Sequence, residues 1–281
     1  MGDLEPSNYD YQKLYGQGES AADHVVGMAP RGGRVLELGA GPGSITRRLT
    51  QDMGCHVTAV ELDVSFLSHL SECCARVVHA NLNSDEWPGA VGKGERFDVI
   101  IAADVVEHLE QPGALLATCQ HMLTEEGSVI VSLPNIGHCV IHACLMDEDF
   151  EYRKWGLLDA THIRFFGIKN MQELLSGAGM KVVDVKFVCR MPEDTEYADR
   201  WRRAPNDLKA AVLKNPFAYV YQCVVRAVPV TASGKALNIM DHAVAQPKVT
   251  GLMKINRFLK RCLPDELYSL CRRLYRTVSP K

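Results

Sequence analysis

The chain has 281 residues, of which 47% are hydrophobic, 23% charged and 7% aromatic, enough to bury a sizeable core and unlike disordered, collagenous or fibrous sequences. A formal charge of −3 argues against nucleic-acid binding as the main function, because phosphate contacts need a basic excess. None of the ten cysteines forms a CxxC pair, which argues against a zinc ribbon or a thioredoxin-like site. The start, MGDLEPSNYDYQ, has no secretory pattern and no apolar run suits a membrane span, so a cytoplasmic protein with reduced thiols is expected.

Short apolar runs alternate with amphipathic stretches. RVLEL (34–38) predicts a strand, the glycine cluster 39–43 a tight turn, and 44–52 a helix. Strands are expected at 56–61, 75–80, 97–102 and 128–133, with helices at 64–72 and 112–123. That alternation implies βαβ units, a parallel sheet and an open α/β fold. After an irregular stretch from 135 to 166, a helix is expected at 169–176 and strands at 181–188 and 217–228. The last run has no helix between it and a further strand, so it is placed as an antiparallel hairpin partner closing the sheet edge. Residues 229–250 read as a linker, and 251–281 as a helical tail carrying eight basic and two acidic residues. The tail's charge is +6, leaving −9 on the preceding 250 residues. A basic amphipathic tail suits either an anionic membrane or packing within the chain or a homodimer.

The turn reads G-A-G-P-G, with Ser44 where a dinucleotide fingerprint needs its third glycine, and no P-loop Gly-Lys-Ser/Thr is present. Glu37 just before it would suit a cationic or amine-bearing ligand. VLELGAGPG (35–43) resembles motif I of the class I S-adenosylmethionine-dependent methyltransferases, and Glu61, Asn81 and FDVIIAADVVEHL (97–109) extend the likeness. It covers residues of about 9 to 190 and implies a Rossmann-like, doubly wound, mostly parallel sheet with one antiparallel edge strand. It also implies S-adenosylmethionine as cofactor. Residues 1–33 would form a segment over the cofactor site and 34–228 the methyltransferase domain.

By that resemblance Glu61 accepts from the ribose hydroxyls, Asn81 replaces an Asp that meets the adenine amine, and Leu62 and Leu82 pack the adenine. The backbone at Gly39 and Ala102, beside Glu37, receives the methionine end, with Gly41 and Gly43 completing the turn. LPNIGH (133–138) and GLLDATHIRFFG (156–167) resemble a subfamily associated with polysaccharide and cell-envelope glycan biosynthesis, implying a sugar or glycan-linked hydroxyl as acceptor. Thr161-His162 is also similar to a Thr-His of the ubiquinone-biosynthesis O-methyltransferases.

A hydroxyl acceptor is a weak acid, so a positioned base helps, and His162 is the candidate, with a loop-fixing role as its alternative. Asp104 lies just beyond the fourth strand, where parallel sheets bind ligands. His108, Asn135, His138, Asp159, Arg164 and Tyr9 are candidate substrate contacts. Glu107 and His108 could instead hold neighbouring loops, and Asp159 could pair with Arg164. No metal centre is expected, since His138, Cys139, His142 and Cys144 lie on an apolar helical pattern as packing residues. A small-molecule natural-product or quinone-type O- or N-methyltransferase, and a cofactor-binding partner without catalysis, are the competing readings.

Overall fold

The computed structural model describes residues 20–245 and the single position Leu267. Helix α1 (Ala21–Met28) opens with Ser20, whose Oγ accepts the Asp23 N–H while the Asp23 carboxylate accepts the Ser20 N–H, a reciprocal cap. Strand β1 (Arg34–Leu38) and helix α2 (Ser44–Gln51) follow, then β2 (His56–Glu61), α3 (Val64–Ser71), β3 (Arg76–His79) and the short α4 (Trp87–Val91). Next come β4 (Phe97–Ala103), α5 (Pro112–His121), β5 (Leu123–Pro134) and α6 (Cys139–Met146). The described chain closes with α7 (Ile168–Gly177), β6 (Met180–Cys189), α8 (Ala198–Arg203), α9 (Asn206–Val212) and β7 (Val220–Pro229).

The seven strands lie in the order β3-β2-β1-β4-β5-β7-β6. β1 through β5 pair parallel, and β7 runs antiparallel to both β5 and β6. This is the expected Rossmann-like, mostly parallel sheet, and the antiparallel strand lies one place in from the edge, with β6 outermost. Both faces are covered, which explains the apolar runs. Val35, Val99, Ile101 and Ile130 pack under α1 and α2, while their neighbours Leu36, Leu38, Ile100 and Val131 face the opposite cluster with α5 and α7. The alternation follows from the two-residue period of a strand.

Helices α8 and α9, unpredicted, pack with α6 in a separate cluster around Tyr197, Trp201, Leu157 and Tyr221. The expected linker is corrected over its described part: Ile239 is fully buried in the main core, and the Leu237 N–H donates to the Val182 carbonyl at 2.8 Å. Burial of that side chain outweighs the turn-rich composition around it. Cys55, Cys119, Cys139, Cys144 and Cys223 are buried free thiols. Among the described residues no helix is long and apolar enough to cross a membrane. Tyr9 and the tail 251–281, apart from Leu267, lie outside the described residues.

Candidate active site

The carboxyl ends of β1 and β4 frame a cleft lined by Glu37, Gly39, Gly41, Ala103, Asp104 and Ser132, with Ala21 and Ala22 of α1 on its flank. The turn above β1 needs its glycines: Gly39, Gly41 and Gly43 have φ of 64°, 53° and 78°. A Cβ on Gly39 would also stand 2.7 Å from Val105 Cγ2. On Gly41 it would meet nothing within 4 Å. The absent side chain there leaves room for a ligand against the turn.

Glu61 organises the turn. Its Oε2 accepts the Gly41 N–H at 2.7 Å, and its Oε1 accepts the Leu62 and Asp63 N–H groups at 2.8 Å each. Glu37 is buried and accepts from Thr46 Oγ1 at 2.6 Å. Burial, helped by the negative Glu61, pushes its carboxyl up to about 7, against the lowering hydrogen bond of Thr46. A cationic ligand group placed beside it would favour its ionised form. The glycine cradle, the cleft and this carboxylate together fit the amine-bearing, sulfonium cofactor expected from the sequence.

Of the other expected cofactor residues, Leu62, Asn81, Leu82 and Ala102 lie outside the residues that line the cleft. Leu62, just after β2, is exposed, while Leu82 is half-buried against the main core. Asn81 is exposed, with Oδ1 accepting the Asn83 N–H at 2.9 Å. The Ala102 side chain is fully buried in the sheet, and Ala103 lines the cleft beside it. Gly43 caps α2.

Asp104 has φ 54°, a conformation that costs a non-glycine residue about 1–3 kcal/mol and needs holding. Ser132 Oγ donates to Oδ1 at 2.7 Å, and Gln222 Nε2 reaches both carboxylate oxygens at 2.8 Å. Gln222 comes from β7 and the sequence reading missed it, because only the antiparallel insertion of that strand brings a residue 118 positions away to Asp104.

Beyond Asp104 the chain makes a 3-10 turn, Val106–His108, under the loop 150–167. The Glu107 carbonyl accepts the N–H groups of Ile163 and Arg164 at 3.0 Å each, fastening that loop. His162 Nε2 then lies 3.9 Å from Glu107 Oε1, and the His108 and His162 rings meet edge-on at 4.8 Å. Glu107 is 1% exposed, and neither carboxylate oxygen has a hydrogen-bond partner in another described residue. Burial and then Asp104 hold its carboxyl well above the ordinary range. Burial and the neighbouring His108 pull His162 down, so its imidazole is neutral at pH 7. One carboxylate and two imidazoles, with donor atoms within 4.8 Å of one another, form a set able to hold a divalent cation.

The remaining candidates separate. Asp159 Oδ1 accepts from the backbone and hydroxyl of Thr161 at 2.7 and 2.6 Å, and Arg164 donates to the Glu110 carbonyl at 2.6 Å. Both therefore brace the loop. Asn135 and His138 are 1% and 0% exposed, which corrects their expected place against substrate. Asn135 Nδ2 donates to the Val220 carbonyl at 2.8 Å, and His138 caps α6 through Nδ1 while Nε2 bonds the Arg190 carbonyl at 3.1 Å. Both side chains fasten α6 and its cluster to neighbouring backbone.

The family described as "Methyltransferase domain" matches residues 17–185. A ubiquinone biosynthesis O-methyltransferase of Cereibacter sphaeroides (strain ATCC 17025 / ATH 2.4.3) is 26% identical over 189 residues, 65% of this chain and 74% of that protein. One from Azorhizobium caulinodans is 34% identical over 109 residues, 37% of this chain and 42% of that protein, so the match spans less than half of its length. In fold, a SAM-dependent methyltransferase from Archaeoglobus fulgidus superposes with a TM-score of 0.50 at 17% identity, covering 71% of this chain and 86% of the other. With the glycine turn, Glu61 and the cleft already in place, the chain belongs to the methyltransferase domain family and is a class I S-adenosylmethionine-dependent methyltransferase.

Proposed function

We propose that the protein methylates a hydroxyl oxygen of a small molecule of quinone-precursor or natural-product kind. The observation that carries the reading is the cluster of buried Glu107 with half-buried His108 and His162, next to Asp104, which lines the cleft. An amine acceptor can attack with its own lone pair, whereas a hydroxyl gains from losing its proton. S-adenosylmethionine supplies the activated methyl group, whose bond to sulfur breaks as the bond to the acceptor oxygen forms, leaving S-adenosylhomocysteine. Gly39, Gly41 and Glu37 receive the methionine end, with Gly43 shaping the turn and the Ala102 backbone adjoining it. Glu61 takes the ribose diol, and Asn81, Leu62 and Leu82 meet the adenine. Asp104, pinned by Ser132 and Gln222, positions the acceptor, and neutral His162 takes its proton.

The surface beside His162 supports an aromatic acceptor. Phe165 stacks edge-on with His162 at 6.2 Å and with Phe150 at 5.6 Å, and Ile163 and Tyr152 are exposed nearby. The ubiquinone-biosynthesis names of the relatives point the same way. A sugar or glycan hydroxyl, suggested by LPNIGH and DATHIRFFG, has weaker support, because Asn135 and His138 are turned inward. Incubation with methyl-labelled S-adenosylmethionine and separate panels of phenols, sugars and amines tests the reading. Label in a phenolic methyl ether is expected, and label confined to amines or sugars overturns it.

A further inference from the structure

We infer that Glu107, His108 and His162 form a binding site for a divalent cation that takes mixed nitrogen and oxygen ligands, of the Mn2+ to Zn2+ kind. The inference rests on the reading that this cluster activates a hydroxyl, and it names the agent.

Three independent features build the site. The donor atoms of one carboxylate and two imidazoles lie within 4.8 Å of one another. Cation bonds of about 2.0–2.2 Å need ligand atoms about 3–3.5 Å apart, so small side-chain rotations complete the set. Glu107, 1% exposed, aims a carboxylate into this space with neither oxygen partnered by another described residue, and a buried polar group without a partner carries a cost that a ligand removes.

The third feature is the orientation of His108. Its Nδ1 lies 3.1 Å from the Thr161 carbonyl and 3.2 Å from Thr161 Oγ1, leaving Nε2 as the free ligand atom. A ring nitrogen bonded to a carbonyl while the other faces the centre is the usual arrangement of a metal-binding histidine. Thr161 is itself fixed by Asp159, and the loop by the Glu107 carbonyl, so the ligands from two distant segments are held together before any cation arrives.

Two nitrogens and one carboxylate favour such a cation over Mg2+, which prefers an oxygen shell and keeps its waters. Three protein ligands leave coordination positions open, where a cation would lower the pKa of an incoming hydroxyl. Asp104, adjoining the cluster and the cleft, places that hydroxyl near the cofactor. With a cation bound His162 is a ligand, and its role as proton acceptor belongs to the cation-free protein.

Equilibrium dialysis of the untagged full chain against Mn2+, read by electron paramagnetic resonance, with Zn2+ as competitor, tests the inference. One Mn2+ per chain is expected, displaced by Zn2+. Glu107→Gln and His162→Gln should each weaken binding at least about 100-fold, since losing a partner one layer further out already costs about 10- to 100-fold. Calorimetric binding of S-adenosylhomocysteine by both variants confirms that they fold. No bound Mn2+ in the wild type, or equal binding by both folded variants, overturns the inference. If the wild type holds no cation yet His162→Gln slows methyl transfer, the hydroxyl reading survives without it. Transfer to amines alone removes that reading whatever the dialysis shows.

Discussion

Glu61 accepts the Gly41 N–H at 2.7 Å, so the carboxylate at the end of β2 and the glycine turn after β1 form one unit. Among the described residues, the three groups bonded to it are N–H donors, from Gly41, Leu62 and Asp63. A glutamine would therefore turn its own NH2 against a donor on one side. Both Glu61→Ala and Glu61→Gln should weaken S-adenosylhomocysteine binding by about 1.5–3 kcal/mol, roughly 10- to 150-fold, measured by calorimetry. Unchanged affinity in both would remove Glu61 from the cofactor site.

Gly39→Ala should destabilise the fold by about 1–3 kcal/mol in urea unfolding, because φ 64° and a Cβ 2.7 Å from Val105 Cγ2 penalise it together. Adding Val105→Ala should recover only the steric part. Full recovery would show that the backbone conformation costs nothing.

Glu37 gives the protein a pH dependence of defined sign. Its carboxyl is raised from 4.5 to about 7 by burial, with Glu61 adding to the shift and Thr46 opposing it. The folded state therefore binds a proton that the unfolded state has released between those values, so stability falls as pH rises from about 4.5 to 7 and levels off above. The difference is of order 3 kcal/mol. Glu37→Gln should flatten this slope in denaturation curves of the cofactor-free protein. A cationic cofactor beside Glu37 favours ionisation, so binding near pH 6 should release a proton. Calorimetry in buffers of different ionisation heat would detect it, and proton uptake would contradict the assignment.

Glu196 links the cluster of α6, α8 and α9 to the loop 150–167. Half-buried, it accepts the Leu157 N–H at 2.7 Å and the Tyr221 hydroxyl at 3.0 Å, beside Gly156 at φ 98°. Glu196→Ala should loosen the loop that carries Asp159 and His162, raising proteolytic cleavage within 150–167 and lowering kcat. S-adenosylhomocysteine affinity should stay within about twofold, because the cofactor turn is packed elsewhere. Equal loss of both would place Glu196 in general stability alone.

The central strands and the cofactor turn were legible because their signals are local. RVLEL and HVTAVE match β1 and β2 residue for residue, and the glycines stand where φ is positive. The sites that depended on distant chain were not. Gln222 reaches Asp104 only because β7 inserts between β5 and β6, and nothing near position 222 announces it. Asn135 and His138 look reactive in LPNIGH, but the fold uses their polar atoms to satisfy buried backbone. The position of Glu107 after the fourth strand suits a loop support, and its backbone carbonyl does hold the loop. Its unpartnered carboxylate became visible only once His162, 55 positions on, stood beside it. Helices α8 and α9 are six and seven residues long, too short for a periodic pattern.

A cleft for the cofactor and an adjoining cluster for the acceptor's proton should separate on mutation, and His162→Ala tests this most directly. Turnover with methyl-labelled S-adenosylmethionine should fall at least about 100-fold, the usual loss on removing a positioned acid–base group, with S-adenosylhomocysteine affinity changed less than about twofold. An unchanged rate, or equal loss of rate and cofactor binding, would contradict it.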